Sequence, residues 1–296
     1  MRVLVAGAAG QLGSTITSLF APRHAVVALT RADLDIADAD AVDAAIAGSA
    51  ADAVINCAAY NDVDGAETEP GAAIRVNALG VLHLARAAAA SGAVFVHYST
   101  DFVFDGLAQE PYPETAVPHP LSSYGMSKLL GEWLAEEAPE SYVLRVESLF
   151  GGEPAKSSVD RIVDGLRRGL PVRAFHDRVV TPSYVADVAA ATEQLLARRP
   201  PAGVYHCVNT GVTTWAGLAE AAARLLGARS EIVAVSVADV RLRAERPRYC
   251  ALSNEKLRRT GIPMPTWEDA LARYLRSQVR HSARAEPRNQ EPCIEP

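Results

Sequence analysis

Short, mostly apolar runs alternate along the first half of the chain with stretches whose apolar positions recur every three or four residues. The runs are Arg2–Ala6, Ala25–Leu29, Ala53–Cys57, Val94–Tyr98 and Tyr142–Val146. Their length and their β-branched and aromatic content read as strands buried on both faces. Between them, Leu12, Ile16 and Leu19 fall on one side of a helix, and Val42 and Ile46 on one side of another over 39–48. Ala72–Ser91 reads as one long Ala-rich helix stopped by Gly92, and Ser122 or Ser123 can cap a further helix. Strands and helices in alternation, with short links, predict an α/β fold whose first 150 residues form a doubly wound parallel sheet of Rossmann type.

Beyond residue 150 the alternation loosens. Helices are predicted over 158–168, 186–198, 213–226 (capped by Thr213), 253–260 and from Thr266, with extended pieces at 172–175, 203–208 and 231–235. A strand and a helix from about 178–210 are expected to rejoin the sheet, leaving 151–280 mainly as a smaller C-terminal region. Residues 281–296 lack periodicity and read as a disordered tail.

Composition narrows the function classes. A chain of 296 residues, half of them hydrophobic, can bury the core of one large or two modest domains. It has no apolar run of membrane-spanning length and no charged-then-apolar leader, so a cytoplasmic protein without a membrane partner is expected. A net charge of −6 argues against phosphate-driven nucleic-acid binding. Cys57, Cys207, Cys250 and Cys293 are far apart, no C-x-x-C occurs, and the histidines show no ligand spacing, so no metal site is expected.

Two stretches carry candidate chemistry. The first is Gly7-Ala-Ala-Gly10-Gln11-Leu12-Gly13, directly after the first strand and opening a helix. Glycines there permit a tight turn and close approach of backbone to a pyrophosphate, and the helix start offers N–H groups to phosphates. A plain strand-to-helix turn is the alternative. The second predicted strand ends in Thr30-Arg31, which suits the 2′-phosphate of NADP more than the ribose of NAD; a solvated arginine is the alternative. Asp35 offers a carboxylate and Ile36 an apolar contact to an adenine. Ala58, Ala59 and Tyr60 end the third strand with residues against which a cofactor can lie, and Asn77 can brace a neighbouring strand end. Asp62, Asp64, Glu67 and Glu69 read as a solvated acidic loop and helix start.

The second stretch is Ser99-Thr100-Asp101-Phe-Val-Phe-Asp-Gly106 with Ser122-Ser-Tyr124-Gly-Met-Ser-Lys128. The strand delivers Thr100 to its C-terminal end, where α/β proteins place ligands. Tyr124 and Lys128, at i and i+4, share one helix face. A free phenol has a pKa of about 10. A neighbouring ammonium is expected to lower it and make Tyr124 a proton donor to a carbonyl oxygen that Thr100 also holds. A helix with an unrelated Tyr and Lys is the alternative.

Taken as a set, these motifs resemble the extended short-chain dehydrogenase/reductases. Within them Asn56-Cys-Ala-Ala-Tyr60, Ser99–Gly106, Pro120–Lys128 and Arg246-Pro247 resemble the dTDP-4-dehydrorhamnose reductase family over roughly residues 1–275. The resemblance implies a Rossmann-type oxidoreductase using NADPH, with NADH open, and a nucleotide-linked 4-keto-6-deoxy sugar as substrate in dTDP-rhamnose biosynthesis. It implies Thr100, Tyr124 and Lys128 as the catalytic trio and Thr100 and Asp101 near the substrate. Gly7, Gly10, Gln11, Leu12, Gly13, Arg31, Asp35, Ile36, Ala58, Ala59, Tyr60, Tyr124 and Lys128 would line the cofactor. A homodimer is the candidate assembly. Two other readings share the scaffold: a nucleotide-sugar epimerase or dehydratase, and a non-catalytic NADP-binding subunit like the methionine adenosyltransferase β subunit. One departure stands out. The family usually shows Arg-Thr-Ser-Trp after the fifth strand, and here the run is Arg145-Val-Glu-Ser148-Leu-Phe150. Ser148 takes the place of a substrate-facing ring, and Phe150 is the nearest aromatic residue that could replace it.

Overall fold

The five apolar runs become neighbours in one parallel sheet. The computed structural model describes residues 1–282. Its first half runs β1 (Arg2–Ala6), α1 (Gln11–Phe20), β2 (Ala25–Leu29), α2 (Ala39–Ser49), β3 (Ala53–Asn56), α3 (Val63–Thr68), α4 (Pro70–Ile74), α5 (Gly80–Ala90), β4 (Val94–Thr100), α6 (Ser123–Ala135) and β5 (Ser141–Val146). The second half runs β6 (Leu149–Phe150), α7 (Ser158–Arg167), β7 (Val172–Phe175), β8 (Val179–Val180), β9 (Ser183–Tyr184), α8 (Val185–Arg198), β10 (Gly203–His206), β11 (Thr213–Thr214), α9 (Trp215–Leu226), β12 (Ile232–Val235), α10 (Glu255–Arg259) and α11 (Trp267–Ser282). The main sheet has the order β10-β5-β4-β3-β1-β2, every pair parallel.

Alternate residues of each strand feed different cores. Val3, Val5, Ile55, Val96 and Leu144 pack against Leu12 and Ile16 of α1 and Val188 and Leu195 of α8. Leu4, Val54, Phe95 and Val143 pack against Val42 and Ile46 of α2, Leu84 of α5 and Ala135. That two-sided burial is why the strands are apolar without alternation. The sheet therefore draws α8 and β10 from the second half of the chain. A third core holds the C-terminal region together, with Val159 and Ile162 of α7, Leu218 of α9 and Leu271 and Tyr274 of α11 around Phe150.

Several local expectations change. The predicted helix over 72–91 is three pieces, because Arg75–Leu79 widens into a π turn between α4 and α5. The turn holds Asn77, whose side chain is committed to tertiary bonds described below. Thr214, not Thr213, caps α9, accepting the Gly217 N–H at 3.0 Å. The tail expected from residue 281 lies outside the described residues, apart from its first two positions at the end of α11. No helix among the described residues is long and apolar enough to cross a membrane.

Candidate active site

The sheet order reverses between β1 and β3, and the C-terminal strand ends on either side of that switch point are where such sheets bind ligands. Gly7 follows β1 at φ +79°, and a Cβ on it would stand 2.5 Å from the Ala58 nitrogen beyond β3. A Cβ on Gly13 would overlap the Gly7 carbonyl oxygen. Neither position admits a side chain, and the result is a bare backbone cradle. Gly10 opens α1 without a side-chain cap, leaving the first-turn N–H groups of Gln11, Leu12 and Gly13 for an anion. Gln11 itself ties the cradle to the second half of the chain, donating from Nε2 to the Gly151 carbonyl at 2.7 Å. Leu12 is buried under α1.

Arg31 is exposed beyond β2, beside a turn in which the Thr30 hydroxyl donates to Asp33 at 2.7 Å. Asp35 is exposed as well, and its carboxylate accepts the Ala37 N–H. The Ile36 side chain is sunk in the core against Gly80, and its carbonyl faces His83 Nδ1 at 3.2 Å. Ala58, Ala59 and Tyr60 follow β3 half-buried. Asn77 clamps this strand end, accepting the Tyr60 N–H at 2.8 Å and donating to the Tyr60 carbonyl and to Ser127, each at 3.0 Å. These bonds position the cofactor wall. A dinucleotide fits the features present: bare glycine turn, uncapped helix start, and a free guanidinium near the end of β2.

The catalytic stretch folds as its pattern implies. Ser122 caps α6 by accepting the Gly125 N–H at 3.1 Å, which sets Tyr124 in the first turn and Lys128 one turn on. Both are buried among Phe102, Tyr60 and the end of β4. The Tyr124 and Phe102 rings meet edge to face, and Thr100 is the neighbour that pulls the phenol down against burial. Thr100 donates to Asp101 at 3.0 Å. Lys128 donates to the Tyr98 carbonyl at 2.6 Å.

Electrostatics correct one expectation. Burial pushes Lys128 down to about 8, against the opposing pull of Glu132 and Cys57. Tyr124 is held above its ordinary value, first by burial and then by the Asp101 carboxylate, with Thr100 pulling the other way. Lys128 therefore does not make the phenol acidic here, because its ammonium is turned onto the Tyr98 carbonyl and lies 3.5 Å from His97 Nε2. His97 is kept neutral by burial and by Lys128, and its Nδ1 faces Asn56 at 3.1 Å. It is a packed residue, as its strand position suggested.

Three features escaped the sequence. Glu147 and Cys250 lie buried beside Asp101, with the half-buried Arg178 next to them. Within the acidic loop and helix start, where Asp62 and Glu69 are exposed, two carboxylates also make tertiary bonds: Asp64 pairs with Arg246 at 2.9 Å, and Glu67 accepts the Ser123 N–H at 2.7 Å at the start of α6. Phe150 offers the substrate nothing, being fully buried and stacked on Tyr184. Ser148 adopts φ +45° and donates to Glu147 at 2.7 Å. Only the written run Arg145–Phe150 hinted at Glu147, through its departure from the family pattern.

A cavity of about 810 Å³ runs from this point into the C-terminal region, between α7, β7 and α11. Arg161, Arg167, Arg173 and Arg178 line it with Phe175 and Trp215. Arg178 lies over the Phe102 ring at 5.4 Å, so the cavity's inner wall is one residue from Tyr124.

Comparison with known proteins agrees with this geometry. The family model described as RmlD substrate binding domain matches residues 1–280. A dTDP-4-dehydrorhamnose reductase of Streptomyces griseus is 38% identical over 296 residues, 97% of each chain. The crystal structure of a dTDP-4-dehydrorhamnose reductase from Clostridium acetobutylicum superposes with a TM-score of 0.90 at 31% identity, covering 94% of this chain and 100% of that one. One from Bacillus anthracis, in complex with NADP, superposes with a TM-score of 0.89 at 30% identity, covering 93% and 99%. Matched along nearly its whole length in sequence and in fold, the chain belongs to the dTDP-4-dehydrorhamnose reductase family.

Proposed function

We propose that the chain reduces the C4 ketone of a dTDP-linked 4-keto-6-deoxy hexose with NADPH, giving dTDP-L-rhamnose. The observation that carries this reading is the convergence of Thr100, Tyr124 and Lys128 at the same C-terminal strand ends as the Gly7–Gly13 cradle. NADPH supplies the hydride. The chain's own groups act on the oxygen: Tyr124 protonates it as negative charge develops, and Thr100 hydrogen-bonds the same atom. Lys128, near 8, carries its charge at neutral pH and orients the ribose side of the site. Phe102, Tyr60 and Ala66 close the pocket around the phenol and strengthen these bonds by excluding water.

The arginine-lined cavity supports a nucleotide diphosphate as the handle of the substrate. Guanidinium forks bind phosphate oxygens bidentately, and Phe175 and Trp215 offer ring faces to a base. Ser148 in place of a substrate-facing tryptophan leaves the sugar end with less apolar surface. The test is a panel of nucleotide-linked 4-keto sugars, each with NADPH and with NADH, followed by loss of reduced-cofactor absorbance. Steady consumption of free NADPH with the dTDP-linked sugar supports the reductase. Interconversion of sugars with no net consumption points to an epimerase. Tight cofactor binding without turnover on any sugar points to the regulatory-subunit reading.

A further inference from the structure

Strand register places two acids side by side. Thr100 pairs with Val146 across the parallel β4–β5 ladder, and each is followed at once by an acid, Asp101 and Glu147. Both are almost wholly buried, and one carboxylate oxygen of each and the Cys250 sulfur lie within 4.8 Å of one another. Glu147 is firmly held: Oε2 accepts the Thr181 N–H and the Thr181 hydroxyl, and Oε1 accepts the Ser148 hydroxyl. Asp101 is only half satisfied. Its Oδ1 accepts from Thr100, while its Oδ2 is buried without a partner.

The groups facing the pair are Arg178 from the loop before β8, Cys250 from the segment alongside β8, and Tyr124 from α6. Arg178 supplies one positive charge and donates to Cys250 at 3.7 Å. Two buried carboxylates against one guanidinium leave an excess negative charge that burial makes unfavourable. A single proton between the acids removes that excess and gives Asp101 Oδ2 its missing donor. Like-charged carboxyls this close ionise together only at a cost, so the second proton is held more tightly and the doubly ionised pair draws a proton back.

We propose that Asp101 and Glu147 share one proton and act as a buried store that restores the Tyr124 phenol through the Thr100 hydroxyl. The proposal deepens the reductase reading and rests on it for its kinetic part. When Tyr124 gives its proton to the C4 oxygen it becomes a phenolate. Thr100 then passes its hydroxyl proton to that phenolate, and the acid pair passes its proton to Thr100. The net change is one proton lost from the pair and none from Tyr124; solvent refills the pair between turnovers. Glu147 acts here through Asp101 and Thr100, as a positioning residue. Two electrostatic trends agree: Glu147 is pushed up to about 8 by burial and by Asp101, and Asp101 is raised by burial. A proton on the pair also removes the Asp101 charge that holds Tyr124 up.

The test has two arms. Infrared difference spectroscopy on the full chain, without substrate, should show a protonated carboxylic-acid band at pH 7 that fades as pH rises through about 8. Glu147→Gln should abolish it, and Asp101→Asn should lower the pH at which it fades, because the neighbouring carboxylate adds to burial in holding Glu147 up. No band in the wild type, a band that survives Glu147→Gln, or a band whose pH dependence Asp101→Asn leaves unchanged, overturns the shared proton. In the kinetic arm, Glu147→Gln should leave KM and NADPH binding unchanged, lower kcat roughly tenfold, less than the 10²–10⁴ of a direct acid, and change the pH profile of kcat. An unchanged kcat and profile with the band present overturns the relay. If the wild type reduces no 4-keto sugar, the reductase reading and the relay fall together, while the infrared arm still decides the shared proton.

Discussion

Two buried charge clusters flank the ends of β4 and β5, one residue apart in the ladder, and they are built differently. In the first, Glu132 meets Arg145 one to one, with Nε to Oε1 at 2.8 Å and Nη2 to Oε2 at 2.6 Å; Ser99, the ladder partner of Arg145, adds a third bond to the carboxylate at 2.5 Å. Both side chains are nearly sealed from solvent. In the second, Arg178 is the cation near Asp101 and Glu147, its guanidinium donating to Cys250, and both Asp101 Oδ2 and Arg178 Nε lack partners. The first cluster has matched charges and forked geometry, which suits a fixed brace between α6 and β5. The second has mismatched charges and spare atoms, which suits a group that changes state. Burial of charge alone therefore does not mark a working site. An imbalance that a proton would correct does.

Breaking the two clusters should separate them most widely in stability. Glu132→Ala leaves Arg145 buried without its partner and should cost about 3–5 kcal/mol in urea unfolding. Glu147→Gln keeps the shape and a neutral head, so it should cost no more than about one hydrogen bond, ~1 kcal/mol. Equal losses would erase the distinction.

The pH dependence sharpens the same contrast. Glu147 is raised from 4.5 to about 8, so between those values the folded chain holds a proton that the unfolded chain has released. Its contribution to stability is complete below about 4.5 and is lost as pH rises through about 8. Glu147→Gln lacks that slope and should gain on the wild type in Tm as pH rises across this window. Parallel Tm curves would contradict the assignment.

A smaller effect belongs to the cofactor wall. Arg31→Ala should raise the Kd for NADPH by the worth of a charged hydrogen bond, about 1.5–3 kcal/mol, and leave NADH binding nearly unchanged. Titration by cofactor fluorescence reads both, and equal losses would remove Arg31 from the 2′-phosphate.

What the sequence disclosed was whatever a short window contains. Gly7–Gly13, Ser99–Asp101 and Tyr124–Lys128 each carry their meaning within a few residues, because turn, strand end and helix face are local. The six-stranded sheet followed from apolar runs that are buried on both faces. Glu147 did not announce itself, since its partner Asp101 is set by strand register across β4 and β5, and Arg178 and Cys250 arrive from distant loops. The π turn at Asn77 was equally hidden: an Ala-rich helical pattern says nothing of a side chain that must reach the Tyr60 backbone. The burial of the Ile36 side chain was hidden for the same reason, since it is Gly80 on α5 that it packs against.

The central claim is that Tyr124 protonates a sugar ketone while NADPH delivers hydride, and one comparison tests it directly. NADPH oxidation with a dTDP-linked 4-keto-6-deoxy hexose would be measured in single turnover for the wild type and for Tyr124→Phe, with NADPH affinity measured alongside. The substitution removes one hydroxyl and little volume, so folding and NADPH binding should survive while the rate falls on the order of 10²–10⁴. A Tyr124→Phe chain that binds NADPH and turns over near the wild-type rate would contradict the account.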